Sequence, residues 1–90
     1  MAEFTDKTEA NRFELKFEDG TAFATYRDVS GKRAILHVET PAHMRGRGVA
    51  EQLMDEVVAW ARGADAKLIP RCSYAAHYFE AKPEACDVLG

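Results

Sequence analysis

The segment MRGRGVA, residues 44–50, alternates two arginines with two glycines and leads directly into an apolar pattern of helical period. Glycine allows an oxyanion to approach the backbone closely, and arginine supplies charge-assisted donors that suit phosphate. The start of a helix adds unpaired N–H groups and a partial positive charge. The segment therefore predicts an anion-binding site at a helix N-terminus. The alternative is a solvated loop whose arginines serve solubility alone.

The motif also limits which anion this site would hold. Gly48 is not followed by the lysine and the Ser/Thr of a Walker A loop, which disfavours nucleotide hydrolysis. The third glycine of the Rossmann fingerprint is missing as well. The cysteines Cys72 and Cys86 stand alone, without the spacing of metal ligands. We therefore expect a pyrophosphate group that is held without a metal ion.

Three consecutive antiparallel strands, a meander, are predicted to precede this loop. Residues 13–18 alternate apolar and charged side chains, which is the period of a half-buried strand. An Asp-Gly pair, favoured in hairpins, then leads to a second strand over residues 21–28. A further turn leads to a third strand over residues 33–40, which carries several apolar side chains. Residues 1–10 are mostly polar and are predicted to be a flexible lead-in.

The pattern after the loop predicts a helix, a fourth strand and a second helix. Apolar residues from Val49 to Ala61 recur at spacings of three and four, as on one face of a helix. Residues 66–70 predict a strand parallel to the third through this helical crossover, and residues 73–82 predict a shorter C-terminal helix. The expected fold class is α/β (α+β), with residues 11–90 forming one small domain.

Composition is that of an ordinary globular chain. The 90 residues are 47% hydrophobic and 30% charged, which fits one domain. The net charge of -3 argues against a general nucleic-acid binder. No apolar run approaches the roughly 20 residues that span a bilayer, and the polar N-terminal residues do not read as a secretory signal. We expect a cytoplasmic protein, a monomer or weak dimer, without nucleic-acid or membrane partners.

The loop resembles a known motif. RGRGVA, residues 45–50, is similar to the R/Q-x-x-G-x-G/A loop of the GNAT superfamily of N-acetyltransferases, with Arg45, Gly48 and Ala50 at the first, fourth and sixth positions. The strand before the loop and the amphipathic helix after it stand where that superfamily places them. In that superfamily the loop holds the pyrophosphate of acetyl-coenzyme A.

The resemblance extends over residues 12–89 to the minimal Yjdj-type branch of the superfamily. That branch has an H-T-E-like strand, a P-x-C segment and a helix that ends near HPE; here HVE, PRC and KPE occupy those places. Val38 stands where threonine is common in that branch, and Lys82 stands where histidine is common.

The resemblance implies an N-acetyltransferase that depends on acetyl-coenzyme A and acts on an amine acceptor. The expected cofactor-binding residues are Met44, Arg45, Gly46, Arg47, Gly48, Val49 and Ala50. One alternative is a module that binds coenzyme A or acetyl-coenzyme A with little or no turnover. Another is an interaction domain whose basic loop meets an acidic partner.

Cys72 is the first candidate for a catalytic residue. It follows Pro70 and precedes the predicted C-terminal helix, a position at which a helix N-terminus stabilises a thiolate. The resemblance implies a catalytic role for this cysteine, either as a covalent carrier of the acetyl group or as an acid or base beside the thioester. It could also simply adjoin the cofactor, or pack a strand end.

His37 and Glu39 are the other two candidates for catalysis. They lie two residues apart on the third predicted strand, so their side chains share one face. Either could accept a proton from an ammonium substrate, because amine attack requires the neutral amine. The alternative is a hydrogen-bonded structural histidine beside a solvated carboxylate.

Overall fold

The computed structural model describes residues 2–90 and places five strands in one sheet, in the order β1-β2-β3-β4-β5. The strands are β1 (Glu3–Lys7), β2 (Arg12–Phe17), β3 (Gly20–Val29), β4 (Lys32–Glu39) and β5 (Leu68–Pro70). The helices are α1 (Val49–Ala64) and α2 (Ser73–Ala81), with 3₁₀ turns at Thr8–Ala10, Ala42–Met44 and Pro83–Val88. Neighbouring strands are antiparallel except β4 and β5, which are parallel. The predicted fold class, meander, helical crossover and short C-terminal helix are confirmed.

Within residues 2–90, the helices cover one face of the sheet and leave the other uncovered. Alternate residues of β2 and β3 are buried on that face, where they meet the apolar stripe of α1. The buried residues of α1 are Val49, Leu53, Met54, Val57, Val58 and Ala61. The spacing of that stripe is the helical period, which is why the sequence pattern identifies this helix. No helix within residues 2–90 has the length and apolar character needed to cross a membrane.

The N-terminal strand corrects one expectation. Residues 1–10 are predicted to be a flexible lead-in, but β1 and the 3₁₀ turn Thr8–Ala10 occupy the described part of that range. The strand pairs antiparallel with β2, and the Phe4 ring stacks on the Phe13 ring at a centroid distance of 5.6 Å. Its sequence offers only one large apolar residue, so tertiary contact rather than periodicity stabilises it. Met1 lies outside the described residues.

Arg33 joins β1, β3, β4 and α1 through one set of contacts. Its guanidinium lies 2.9 Å from Asp6 Oδ2 and 2.8 Å from Asp28 Oδ1. The same group stacks over the rings of Tyr26 and Trp60, at 3.8 Å and 4.5 Å from their centroids. The Tyr26 hydroxyl donates to Asp6 at 2.5 Å, and burial together with that hydrogen bond raises the pKa of Tyr26. The charged Arg33 guanidinium therefore packs at the edge of the core, between the sheet and α1, with its charge paired by the two carboxylates.

Phe4→Ala is expected to lower the free energy of unfolding by about 1–2 kcal/mol, because it removes a half-buried ring that packs on the core. Thr5→Ala is the matched control on the exposed face of β1 and is expected to change it by less than about 0.5 kcal/mol. Urea unfolding of both variants measures the difference. Equal stability of Phe4→Ala and Thr5→Ala would show that β1 does not contribute to the cooperative fold.

Candidate functional site

The loop between β4 and α1 depends on two glycines with positive φ angles. Gly46 has φ +85° and Gly48 has φ +73°, a region that side chains other than glycine rarely adopt. A Cβ atom added at either position would meet nothing within 4 Å, so the backbone there faces open space. Met44, which is buried, anchors the loop on the core. Met44 therefore fixes the N-terminal end of the loop on the core, whereas the backbone of Gly46 and Gly48 is exposed and carries no side chain.

Among the described residues, the first N–H groups of α1 have no backbone partner. Gly48 is the N-cap residue and offers no side-chain cap. The first backbone hydrogen bond of α1 is donated by the Gln52 N–H group to the Gly48 carbonyl oxygen, at 3.0 Å. The N–H groups of Val49, Ala50 and Glu51 consequently precede the first intrahelical hydrogen bond, and they carry the positive end of the helix dipole.

A cavity of about 230 Å³ lies against this helix start. Its lining residues are Thr40, Met44, Arg45, Gly46, Gly48, Val49, Ala50, Glu51 and Tyr74. Six of the seven residues expected to bind the cofactor are therefore brought together around one cavity. We call this cavity, with residues 44–50 and the first turn of α1, the cradle.

Arg47 is the predicted residue that does not line the cavity itself. Its Nη1 atom donates to Asp19 Oδ2 at 3.0 Å, in the hairpin between β2 and β3. That hydrogen bond holds the pKa of Asp19 below its ordinary value. His43 reaches the same hairpin, with Nε2 at 2.7 Å from the Asp19 carbonyl oxygen. In the described part of the chain, Arg45 has no carboxylate partner at ion-pair distance, unlike Arg47.

Three cradle residues were not predicted from the sequence. Thr40 follows β4, Glu51 lies in the first turn of α1, and Tyr74 lies near the start of α2. Glu51 could have been recognised, since its place in the first turn follows from the helix start. Tyr74 instead falls in a stripe of helical spacing with Tyr78 and Phe79, a pattern that suggests core packing. Its place at the cavity is seen only in the tertiary structure.

The sheet opens beside the cradle because β4 and β5 pair over three residues only. Their parallel register ends where Ile35 meets Pro70. The Ile35 carbonyl then accepts the N–H groups of Arg71 and Cys72, at 2.9 Å and 3.2 Å. A bulge at Leu36 shifts the β3–β4 register at the same level. Among the described residues, the remainder of β4 pairs with β3 alone, so its other edge is free.

His37 and Glu39 lie together on the face of the sheet that carries no helix. Their cross-strand partners are Thr25 and Phe23, which alternate with the buried residues of β3. His37 Nε2 is 2.8 Å from Glu39 Oε1, and the side chains are 60% and 42% exposed. The pair can exchange a proton with a group that approaches from solvent.

Cys72 is the N-cap residue of α2, as its position before that helix predicts. Its Sγ atom accepts the Ala75 N–H at 3.3 Å, and the residue is partly buried against the core. Cys86 is also a free thiol, but it is exposed in the C-terminal 3₁₀ turn, with Sγ 3.6 Å from the Phe79 carbonyl oxygen. Of the two thiols, only Cys72 adjoins the free edge of β4, through its N–H bond to Ile35.

Comparison with known proteins identifies the family of this chain. A family model described as GCN5-related N-acetyl-transferase matches residues 12–88. The chain belongs to this family. The GNAT resemblance in the sequence is confirmed at the level of the family, whereas the Yjdj-type branch stays a prediction.

One solved structure is similar to this chain over almost its whole length. It is the solution NMR structure of a GCN5-like protein from Staphylococcus aureus that is assigned provisionally as an N-acetyltransferase. The two chains are 31% identical with a TM-score of 0.75, over 98% of this chain and 87% of the other. No match was found among curated proteins.

The positive φ angle of Gly48 predicts how its substitution changes the free energy of unfolding. Gly48→Ala is expected to lower the free energy of unfolding by about 1–2 kcal/mol, because an L side chain is strained at positive φ. Gly63→Ala is the matched control: its added Cβ also meets open space, but it lies inside α1, where alanine is expected to stabilise by about 0.5–1 kcal/mol. Denaturant unfolding should give opposite signs. A gain in stability for both variants would contradict the strained loop.

Proposed function

We propose that this chain is an N-acetyltransferase that uses acetyl-coenzyme A and acts on an amine. The observation that carries the proposal is the cradle, in which bare glycine backbone and unpaired helix N–H groups surround a cavity beside Arg45. This donor set fits a pyrophosphate, since a helix N-terminus and a guanidinium both favour phosphate oxygens. The family membership favours the same cofactor.

Each residue of the cradle has a distinct part in this proposal. Arg45 and the backbone of Gly46, Gly48, Val49 and Ala50 hold the pyrophosphate, while Met44 supports the loop from the core. Arg47 has a smaller part at the rim of the cavity, because Asp19 already accepts one of its hydrogen bonds and offsets much of its charge.

The free edge of β4 holds the remainder of the cofactor. Bound acetyl-coenzyme A supplies an activated acetyl thioester and an arm that contains amide groups. Over residues 36–39, the edge of β4 that no described strand pairs with offers donors and acceptors to such an arm, as a sheet edge does to an added strand.

His37 and Glu39 accept the proton that the acceptor amine must lose. An amine is protonated at neutral pH and must lose a proton before it can act as a nucleophile. The Glu39 carboxylate, hydrogen-bonded to His37, is exposed on the open face and is suited to accept that proton. The acceptor therefore approaches from the face opposite the helices.

Cys72 keeps two roles in the proposal. Its thiol is placed at the N-terminus of α2, next to the point where the edge of β4 becomes free. It serves either as the covalent carrier of the acetyl group or as a neighbour of the cofactor that does not react. Mass spectrometry of the protein after exposure to acetyl-coenzyme A separates the two roles, because only a carrier retains an acetyl group.

A binding module with little turnover is the second candidate function. It is favoured by one observation: the side chains of His37 and Glu39 are 60% and 42% exposed, so the described residues do not enclose an acceptor around them. Such a module would use the same cradle but would position no amine.

Arg45→Ala is expected to weaken the binding of coenzyme A about tenfold or more, because a charge-assisted hydrogen bond contributes about 1.5–3 kcal/mol. Arg47→Ala is expected to have a smaller effect, because Asp19 already engages that guanidinium. Isothermal titration of coenzyme A into each protein measures both. Arg62→Ala, near the other end of α1, is the control and should bind like the wild type. Unchanged affinity in Arg45→Ala would remove this residue from the cradle.

Glu39→Gln is expected to lower kcat about a hundredfold, since a general base contributes about 10²–10⁴ in rate, while coenzyme A still binds. The assay follows release of the coenzyme A thiol from acetyl-coenzyme A with a panel of primary amines. Glu14→Gln is the matched control, a carboxylate on the same open face that Lys7 and Arg12 already neutralise. A wild-type protein that binds coenzyme A but acetylates no amine of the panel would favour the binding module.

A further inference from the structure

The cradle contains a negative charge of its own. Glu51 lies in the first turn of α1 and is one of the residues that line the cavity. A carboxylate there interacts well with the helix dipole, but it repels a second anion at the same N–H groups. A site for a doubly charged pyrophosphate would therefore lose affinity unless a cation offset Glu51.

Lys82 supplies that cation from the end of α2. Its Nζ atom lies 2.7 Å from Glu51 Oε2 and 2.9 Å from Asp55 Oδ1, one helical turn further along α1. The Lys82 side chain is 25% exposed, and its ammonium lies 5.2 Å from the centre of the Tyr78 ring. The hydrogen bonds to Glu51 and Asp55 raise the pKa of Lys82, so it stays charged at neutral pH.

The same contacts tie α2 to α1 next to the cavity. Tyr78 donates its hydroxyl hydrogen to Asp55 at 2.6 Å, and Tyr74, one turn earlier on α2, lines the cradle with Glu51. Lys82 thus has two possible effects on the cradle: it offsets the Glu51 charge, and it helps hold α2 in place. The two effects respond differently to removal of the Glu51 charge.

We propose, on the basis of the function proposed above, that Lys82 is a positioning residue for the binding of acetyl-coenzyme A. Lys82 pairs with Glu51, and this pair keeps the start of α1 attractive to a pyrophosphate. Lys82 does not itself contact the cofactor in this role. It acts through the Glu51 carboxylate, which it draws toward α2 and neutralises. Without Lys82, the Glu51 charge would oppose the anion that Arg45 and the helix N-terminus attract.

The test is a double-mutant cycle on coenzyme A affinity, measured by isothermal titration with the full chain. Lys82→Met is expected to weaken binding about threefold to tenfold, the range expected for one charge near a helix end. Glu51→Gln should bind at least as tightly as the wild type, because it removes the repelling carboxylate from the cradle while Lys82 keeps its pair with Asp55. The Lys82→Met/Glu51→Gln double variant should return to within about twofold of the wild type, since an offset charge no longer needs its partner.

A purely packing role for Lys82 predicts a different result. The double variant would then bind as weakly as Lys82→Met, which would overturn the inference. Lys82→Arg keeps the charge and should keep the affinity. The loss in Lys82→Met should also shrink at about 0.5 M salt, because exposed charges are screened there.

The controls separate this inference from the proposed function. Arg62→Met breaks an ion pair of similar length, 2.7 Å to Asp87, away from the cradle, and should leave the affinity unchanged. Thermal unfolding without coenzyme A reports whether each variant is folded. If Lys82→Met does not fold, Glu51→Gln alone decides, because weaker binding in that variant would overturn the inference. A wild-type protein without affinity for coenzyme A would overturn the proposed function itself, whereas unchanged affinity in Lys82→Met would overturn only the role of Lys82.

Discussion

The candidate site depends on the backbone carbonyl of Ile35, where the pairing of β4 with β5 ends. It accepts the N–H groups of both Arg71 and Cys72, which ends the parallel pairing of β4 and β5 after three residues. Because the chain turns there, Cys72 becomes the N-cap residue of α2 and lies next to β4. The rest of β4 keeps a free edge that would otherwise be covered by β5. A longer β5 would bury that edge and separate Cys72 from it.

The charge of the cradle depends on pairs rather than on the number of arginines. Arg47 is held by Asp19, and Glu51 is held by Lys82, so each of these charges is largely offset by its partner. What remains is Arg45 together with the unpaired N–H groups of the first turn of α1. A local positive field thus exists in a chain whose net charge is -3. This is why the net charge, which sums over the whole chain, does not exclude a small anionic ligand.

Local patterns predict much of this fold, and tertiary contacts account for the rest. The meander, α1 and the glycine loop follow from periodicity and from glycine conformation, which act over a few residues. In contrast, β1 has Phe4 as its one large apolar residue, and its order comes from Phe13 and from Asp6 in the Arg33 cluster. The partners of Arg47 and Lys82 are far away in the sequence, so no spacing rule finds them. Pairings of that kind, rather than motifs, decide which cradle residues face the cavity.

Strand β4 separates the two halves of the proposed reaction because its side chains alternate between faces. Val38 pairs with Ala24 on the helix-bearing face, whereas His37 and Glu39 point to the open face. The cradle belongs to the helix-bearing face, since it is formed by the start of α1. Anchoring of the cofactor and handling of the acceptor proton are therefore assigned to opposite sides of one strand. Because His37 and Glu39 are exposed, an acceptor on the open face would, in the proposed reaction, gain its position from the anchored thioester rather than from enclosing walls.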